Sequence, residues 1–254
     1  MTDHLRSVLQ EGSESLGVIL DSTALDRFSL FLEQLLQWNQ KHNLTAIRDP
    51  EEVVTRHFLD SLTCVKGFDF STGKPVIDVG TGAGFPGIPL KIAFPDLPLT
   101  LLEASGKKVE FLQHLAPILG YGDLDIAHAR AEDFGHVRTY RGKFQLCVSR
   151  AVAALPTLAE FCLPFVAQGG YFIAQKNADL GDELEQGREA SLALGGGEVE
   201  VIPVTVPGTD LQRALIRIRK ENRTLSPYPR RPGVPGKRPL GVPGTGERPH
   251  PKYR

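Results

Sequence analysis

The chain of 254 residues is short of cysteine, with three, and of tryptophan and methionine, with one each. Cys64, Cys147 and Cys162 are odd in number and far apart. They offer neither a disulfide framework nor metal-cluster spacing. They read as small buried hydrophobes, and the expected setting is a reducing cytoplasm. No run of about 18 apolar residues exists to span a bilayer. The opening "MTDHLRSVLQEGSESLG" is acidic and amphipathic and lacks the apolar core of a secretory signal. No obvious nucleophile with a His/Asp partner stands out, which argues against a hydrolase.

Acidic residues are scarce in one segment only. Residues 219–254 hold two Asp/Glu against ten Lys/Arg, whereas residues 1–74 hold eleven against seven and residues 75–218 seventeen against twelve. A chain of formal net charge −1 therefore ends in a tail of net +8. A polyanionic partner and a merely solvated tail both fit that asymmetry.

What is present divides into three parts. Residues 1–72 read as helical: "LDRFSLFLEQLLQWNQ" sets Leu25, Phe28, Phe31, Leu32, Leu35, Leu36 and Trp38 along one side. A second helix opens on Asp49 as cap and Pro50 in the first turn. Residues 73–222 alternate strand and helix. Strands are expected at Val76–Val79, Leu99–Leu102, Leu124–Ala127, Phe144–Ser149 and Gly170–Ala174, with a closing hairpin of Glu198–Thr205 and Leu211–Arg219. Intervening helices are expected at Gly87–Phe94, Gly106–Leu119, Leu158–Val166 and Asp179–Gly195. The predicted class is α/β, with a mostly parallel, Rossmann-like sheet of seven strands covered on both faces. Residues 223–254 form a basic tail; eight prolines and five glycines in its last thirty positions predict extended backbone with little burial.

The chemistry is concentrated in "VIDVGTGAGFPGIPL". A buried strand ends at Val79, the chain turns through Gly80, Gly82 and Gly84, and a helix starts near Gly87. Ligands of open parallel sheets sit beside such turns, and glycine lets backbone approach them closely. The spacing departs from the dinucleotide fingerprint, and Phe85-Pro86 occupies the point of closest approach. A phenyl ring there, with the strand-end carboxylate of Asp78, disfavours pyrophosphate and suits a cationic ligand. Glu103 ends the next strand, 23 residues after Gly80, where a carboxylate can accept from ribose hydroxyls. Glu132, in "ARAEDF", is placed to meet an adenine edge. An adenosine with a positive, phosphate-free tail fits this set: S-adenosylmethionine. A nicotinamide dinucleotide enzyme and a non-catalytic ribosome-binding module stay open on these residues alone.

The stretches "WNQKHNLTAIRD", "RHFLDSL", "VIDVGTGAGFPGIPL", "LLEASGKKVEFL", "ARAEDF", "VSRAVAAL" and "RKENRTLSPYPRRPGVPGKRPL" occur in an order and spacing that resembles the ribosomal RNA small subunit methyltransferase G family, also called glucose-inhibited division protein B. The final "GVPGTGERPHPKYR" runs beyond the resemblance, and no role carries over to it. The resemblance implies a class I methyltransferase fold with cofactor contacts at Gly80, Phe85, the Ala131–Glu132 pair and Arg150, and Glu103 on the ribose. Gly82 and Gly84 belong to the same loop. The resemblance also implies methyl transfer to N7 of a guanine in 16S ribosomal RNA, presented as RNA, as the small subunit or as its assembly intermediate. N7 carries a lone pair and needs no general base, so alignment is the main task. No metal is expected, and a monomer is the working expectation although no residue pattern sets an oligomeric state.

Positioning candidates are Arg150, Arg56 and His57; candidates for RNA contact are Lys41, Arg48, Tyr228, Arg230, Arg231, Lys237 and Arg238. Ordinary roles compete with these. Arg56 is spaced to pair with Asp60 at i+4, His57 and His42 read as structural, Trp38 as core, and Lys107 and Lys108 as a solvated helix face.

Overall fold

Seven strands form one sheet in the order β3-β2-β1-β4-β5-β7-β6. They are β1 Val76–Val79, β2 Leu99–Glu103, β3 Asp125–His128, β4 Phe144–Arg150, β5 Val166–Asn177, β6 Gly196–Thr205 and β7 Gln212–Lys220. β1 to β5 run parallel, and β7 pairs antiparallel with both β5 and β6. The predicted class and strand order of events hold. The computed structural model describes residues 1–244; residues 245–254, the end of the basic tail, lie outside the described residues.

Every residue of β1 and β2 is buried, as continuous apolar runs covered on both faces require. One face packs on α1 (Asp3–Ser15), α2 (Ser22–His42), the segment 50–62, α5 (Gly87–Ala93) and α6 (Gly106–Ile118). Phe28, Phe31, Phe58 and Phe111 from these helices share a core with Val76, Leu101 and Val148 of the sheet. The other face packs on α8 (Leu155–Cys162) and α9 (Glu183–Ala193), with the short α7 (Ala131–Phe134) beside them. The chain thus leaves β1 toward one face and β4 toward the other. These two strands are neighbours, which opens a crevice at their carboxyl ends.

Segment 50–62 is not a plain α-helix. α3 (Pro50–Val53), capped by Asp49, passes into a π-helical stretch (Val54–Leu59) before α4 (Asp60–Leu62). The wider turn rotates Asp60 into the protein. Arg56 therefore pairs with Glu52, at 2.8 Å, and not with Asp60 as its spacing predicts. Trp38 is half-buried, stacked among His42, Phe111 and His114 at the margin of the core. All three cysteines are buried and unbridged.

The tail departs from its composition. Tyr228 and Leu240 are buried against the second face, and Val234–Lys237 forms a short helix, α10. A proline-rich segment lacks donors of its own; the domain satisfies it instead. Arg141 donates to the carbonyls of Gly135, Thr224, Leu225 and Tyr228. Arg230 pairs with the fully buried Glu160.

Candidate active site

The loop after β1 is held from beneath. Asp78 is fully buried, and its Oδ2 accepts from Thr81 Oγ1 at 2.6 Å and from the Gly87 amide at 2.8 Å. Burial pushes its carboxyl up to about 7, against the pull of those two hydrogen bonds. Asp78 thus ties the loop to the start of α5 and does not face the crevice, a correction to its reading as a direct partner of a cationic ligand. Gly82 has φ +63°, and a Cβ there would meet nothing closer than Lys108 Nζ at 3.7 Å, so this backbone is open to a ligand. Gly84 is different: its φ is +97° and a Cβ would run into Ile88 at 2.6 Å, so it is a packing glycine behind the loop.

Glu103 closes the other side. It is nearly buried, its Oε2 accepts from the Gly82 amide and its Oε1 from the Ser105 amide, each at 2.8 Å. These bonds fix the carboxylate at the rim of a cavity of about 490 Å³, lined by Gly80, Gly82, Phe85, Glu103, Ala131, Glu132 and Arg150 among others. That size suits a nucleoside-sized ligand. Each Glu103 oxygen has a second lone pair for a hydroxyl, and the glycine backbone leaves room beside it, so the donor set fits an adenosine. Glu132 is buried, and its Oε1 accepts from the Gly233 amide of the tail at 3.0 Å.

The far wall is Arg150, at the end of β4. Its guanidinium lies over the Phe85 ring, 5.0 Å from the centroid. Phe85 also stacks on His57 at 4.5 Å and on Phe31 at 5.1 Å. Arg150 Nη1 donates to Asp60 Oδ2 at 3.0 Å and Nη2 lies 3.1 Å from His57 Nδ1. A guanidinium can only donate, so Nδ1 is the acceptor and the imidazole proton sits on Nε2, which donates to Thr45 Oγ1 at 2.8 Å. Burial first, then the Arg150 charge, push the His57 pKa down to about 3. His57 is therefore a neutral spacer and no proton shuttle.

Beyond Arg150 lies a second cavity of about 320 Å³, sharing His57, Arg150 and Ala151 with the first and lined further by Asp60, Gln175, Asn177 and Arg213. Asp60, 1% exposed, also accepts from Arg213 Nε at 3.2 Å. Arg56 lines this second cavity and not the first.

The RNA candidates scatter. Lys41, Arg231, Lys237 and Arg238 are exposed. Arg48 donates to Asn43 Oδ1 at 2.9 Å and lines an open cleft with Lys107 and Lys108 at the mouth of the first cavity. Those two lysines, predicted to be a merely solvated face, thus stand where a polyanion would enter. Tyr228 is buried and Arg230 is committed to Glu160, so neither presents itself for stacking or phosphate contact. Sequence reasoning missed Thr45, Lys108, Asp60, Gln175 and Arg213. Their juxtaposition is tertiary; the one local signal was the polar, caged "NQKHNLTAIRD", whose Asn39 pins Thr45 through both backbone groups. Among the described residues no group of His, Cys, Asp and Glu could hold a metal, and no helix is long and apolar enough to cross a membrane.

Comparison with known proteins adds a lineage. The family model described as rRNA small subunit methyltransferase G matches residues 24–215. A ribosomal RNA small subunit methyltransferase G of Alkaliphilus metalliredigens is 45% identical over 92% of this chain and 98% of its own. One of Caldanaerobacter subterraneus subsp. tengcongensis is 47% identical over 88% of this chain and 93% of its own. Among solved structures, a methyltransferase from Pyrococcus furiosus superposes with a TM-score of 0.53 at 16% identity, over 78% of this chain and 99% of that one, and shares the fold.

Proposed function

The chain belongs to the rRNA small subunit methyltransferase G family, and from that premise we propose that it methylates N7 of a guanine in 16S ribosomal RNA, using S-adenosylmethionine and no general base. The family is one of enzymes, which sets aside the dehydrogenase and the non-catalytic module. The observation that carries the cofactor assignment is Glu103, held by two backbone amides at the edge of a cavity whose floor is the open Gly82 backbone.

In this reading Glu103 accepts from the ribose hydroxyls, Gly80 and Gly82 lie along the nucleoside, and Ala131 and Glu132 border its base. Arg150, Phe85 and His57 wall the reactive end. S-adenosylmethionine, when bound, supplies a methyl group on a sulfonium. The protein's share is alignment and exclusion of water. Guanine N7 attacks through its lone pair, so no side chain has to remove a proton first, which agrees with a His57 held neutral and occupied on both nitrogens. Lys41, Arg48, Lys107 and Lys108 contact RNA phosphates at the cavity mouth, with Arg231, Lys237 and Arg238 extending that contact. The substrate is small-subunit RNA or a particle containing it, in the cytoplasm.

The deciding experiment is transfer of labelled methyl from S-adenosylmethionine to unmethylated small-subunit RNA or particles, with the modified atom mapped. Label at guanine N7 supports the proposal; label elsewhere, or none, rejects it.

A further inference from the structure

The second cavity has no place in the cofactor assignment, yet it is built like a site. It lies at the carboxyl ends of β4 and β5, on the other side of Arg150 from the first cavity, and the two share the wall formed by His57, Arg150 and Ala151. One of its lining residues is an anomaly. Gln175, 3% exposed, donates through Nε2 to the Asp60 carbonyl at 2.8 Å and to Thr63 Oγ1 at 3.2 Å. Those acceptors fix which way the amide faces. Its Oε1 is then left without a donor, one of only two such buried side-chain atoms among the described residues. The other, Asp78 Oδ1, belongs to the loop after β1. Buried acceptors are nearly always satisfied, and an orphan calls for a missing partner.

We infer that the second cavity receives the target purine and that Gln175 Oε1 selects guanine by accepting from the N–H groups of its Watson–Crick edge. The inference rests on the methyltransferase reading above and deepens it. A base extruded for chemistry needs a pocket of its own. Guanine carries N7 and O6 on one edge and the N1–H and N2–H donors on the opposite one. N7 has to face the first cavity, so the donor edge points away from the shared wall. Gln175 stands on that side: it is the β5 residue in register with Arg150 of β4, one strand spacing further along the sheet. Arg150, which has guanidinium hydrogens beyond those given to Asp60, Arg56 and His57, is placed on the O6 side as a donor. Adenine reverses the pattern. Its N1 is an acceptor, which would leave two lone pairs facing each other at Gln175.

The test uses the full chain, S-adenosylmethionine and unmethylated small-subunit particles. Failure of the wild-type protein to methylate any guanine brings down the parent reading and this one with it. Given wild-type transfer, Gln175→Leu is expected to lower kcat/KM roughly 10- to 100-fold, the range for an unpaired donor, with cofactor affinity and thermal midpoint unchanged. Gln175→Glu, which keeps an acceptor, recovers part of the loss. A folded, cofactor-binding Gln175→Leu protein that methylates at the wild-type rate overturns the inference. A second arm needs no variant: particles carrying 1-methylguanine at the target keep N7 and O6 and lose N1–H. They are expected to be poor substrates by a similar factor, and equal use of both bases overturns the inference.

Discussion

Arg150 Nη1 lies 3.0 Å from Asp60 Oδ2. One residue ends a central strand of the sheet; the other comes from the irregular helical segment before β1. The N-terminal helices are thus part of the site and not an appendage to it. They supply Leu44, Thr45 and His57 to the first cavity and the carboxylate that holds Arg150 between the two cavities. Asp60 also neutralises Arg213, so one buried carboxylate restrains two guanidinium groups.

Asp60→Asn leaves both guanidinium groups in place with their counter-charge removed. Loss of one partner of a buried ion pair costs about 3–5 kcal/mol. The variant should show a loss of this order in urea unfolding. A loss of under about 1 kcal/mol, the range of an exposed pair, would show that water reaches this cluster freely.

Glu103→Ala should weaken S-adenosylmethionine binding by about 1–3 kcal/mol, the range for unpaired partners of a charged hydrogen bond. Titration calorimetry reads this directly. The amides of Gly82 and Ser105 lose their acceptor as well, so the thermal midpoint has to be followed alongside. Unaltered affinity in a folded variant would contradict the ribose assignment.

Gly82 and Gly84 should respond differently to alanine. Both occupy positive φ, where a Cβ costs roughly 1–2 kcal/mol. At Gly82 the added methyl points into open space, and at Gly84 into Ile88. Gly82→Ala should therefore lose cofactor binding with modest destabilisation, while Gly84→Ala loses stability first. Equal unfolding penalties with equal binding would remove Gly82 from the ligand surface.

Much of this was legible from the residues in order. Buried runs such as "VIDV" and "LTLLE" declare central strands, and the turn glycines with Glu103 mark where a ligand sits, because both signals are local. What was not legible depends on contacts across the fold. The π-helical stretch sends Asp60 to Arg150 where helical spacing points it at Arg56. The tail reads as extended because composition reports its lack of donors, not the Arg141 and Glu160 side chains that supply donors and a counter-charge from 80 or so residues away in the chain. Gln175 follows a strand like many glutamines, and only its missing partner singles it out.

The packed tail alters what truncation should do. Removing it from residue 225 onward would strip Tyr228 and Leu240 from the core, leave Glu160 buried without Arg230, and free the Glu132 oxygen that accepts from Gly233. Cofactor affinity and stability should fall together. A truncated protein with wild-type melting and wild-type cofactor binding would show that these contacts contribute nothing.

The pH dependence of stability separates two buried groups that face opposite ways. His57 has its pKa pushed from 6.5 down to about 3, so between those values the unfolded chain holds a proton that the native one does not. Its contribution to stability therefore grows with rising pH across that window and is full above 6.5. Asp78 is the reverse: raised from 3.8 to about 7, it keeps a proton in the native state that the unfolded chain has lost. Its contribution is full below 3.8 and disappears as pH rises through 7. In the wild-type protein the two slopes oppose each other over the pH range they share. His57→Gln should expose a stability that declines from pH 4 to 7 relative to wild type, and Asp78→Asn one that climbs over the same range. Chemical denaturation at a series of pH values compares slopes and not absolute stabilities, so a general loss in either variant does not obscure the result. Parallel curves for all three proteins would mean that neither group is desolvated as its surroundings require.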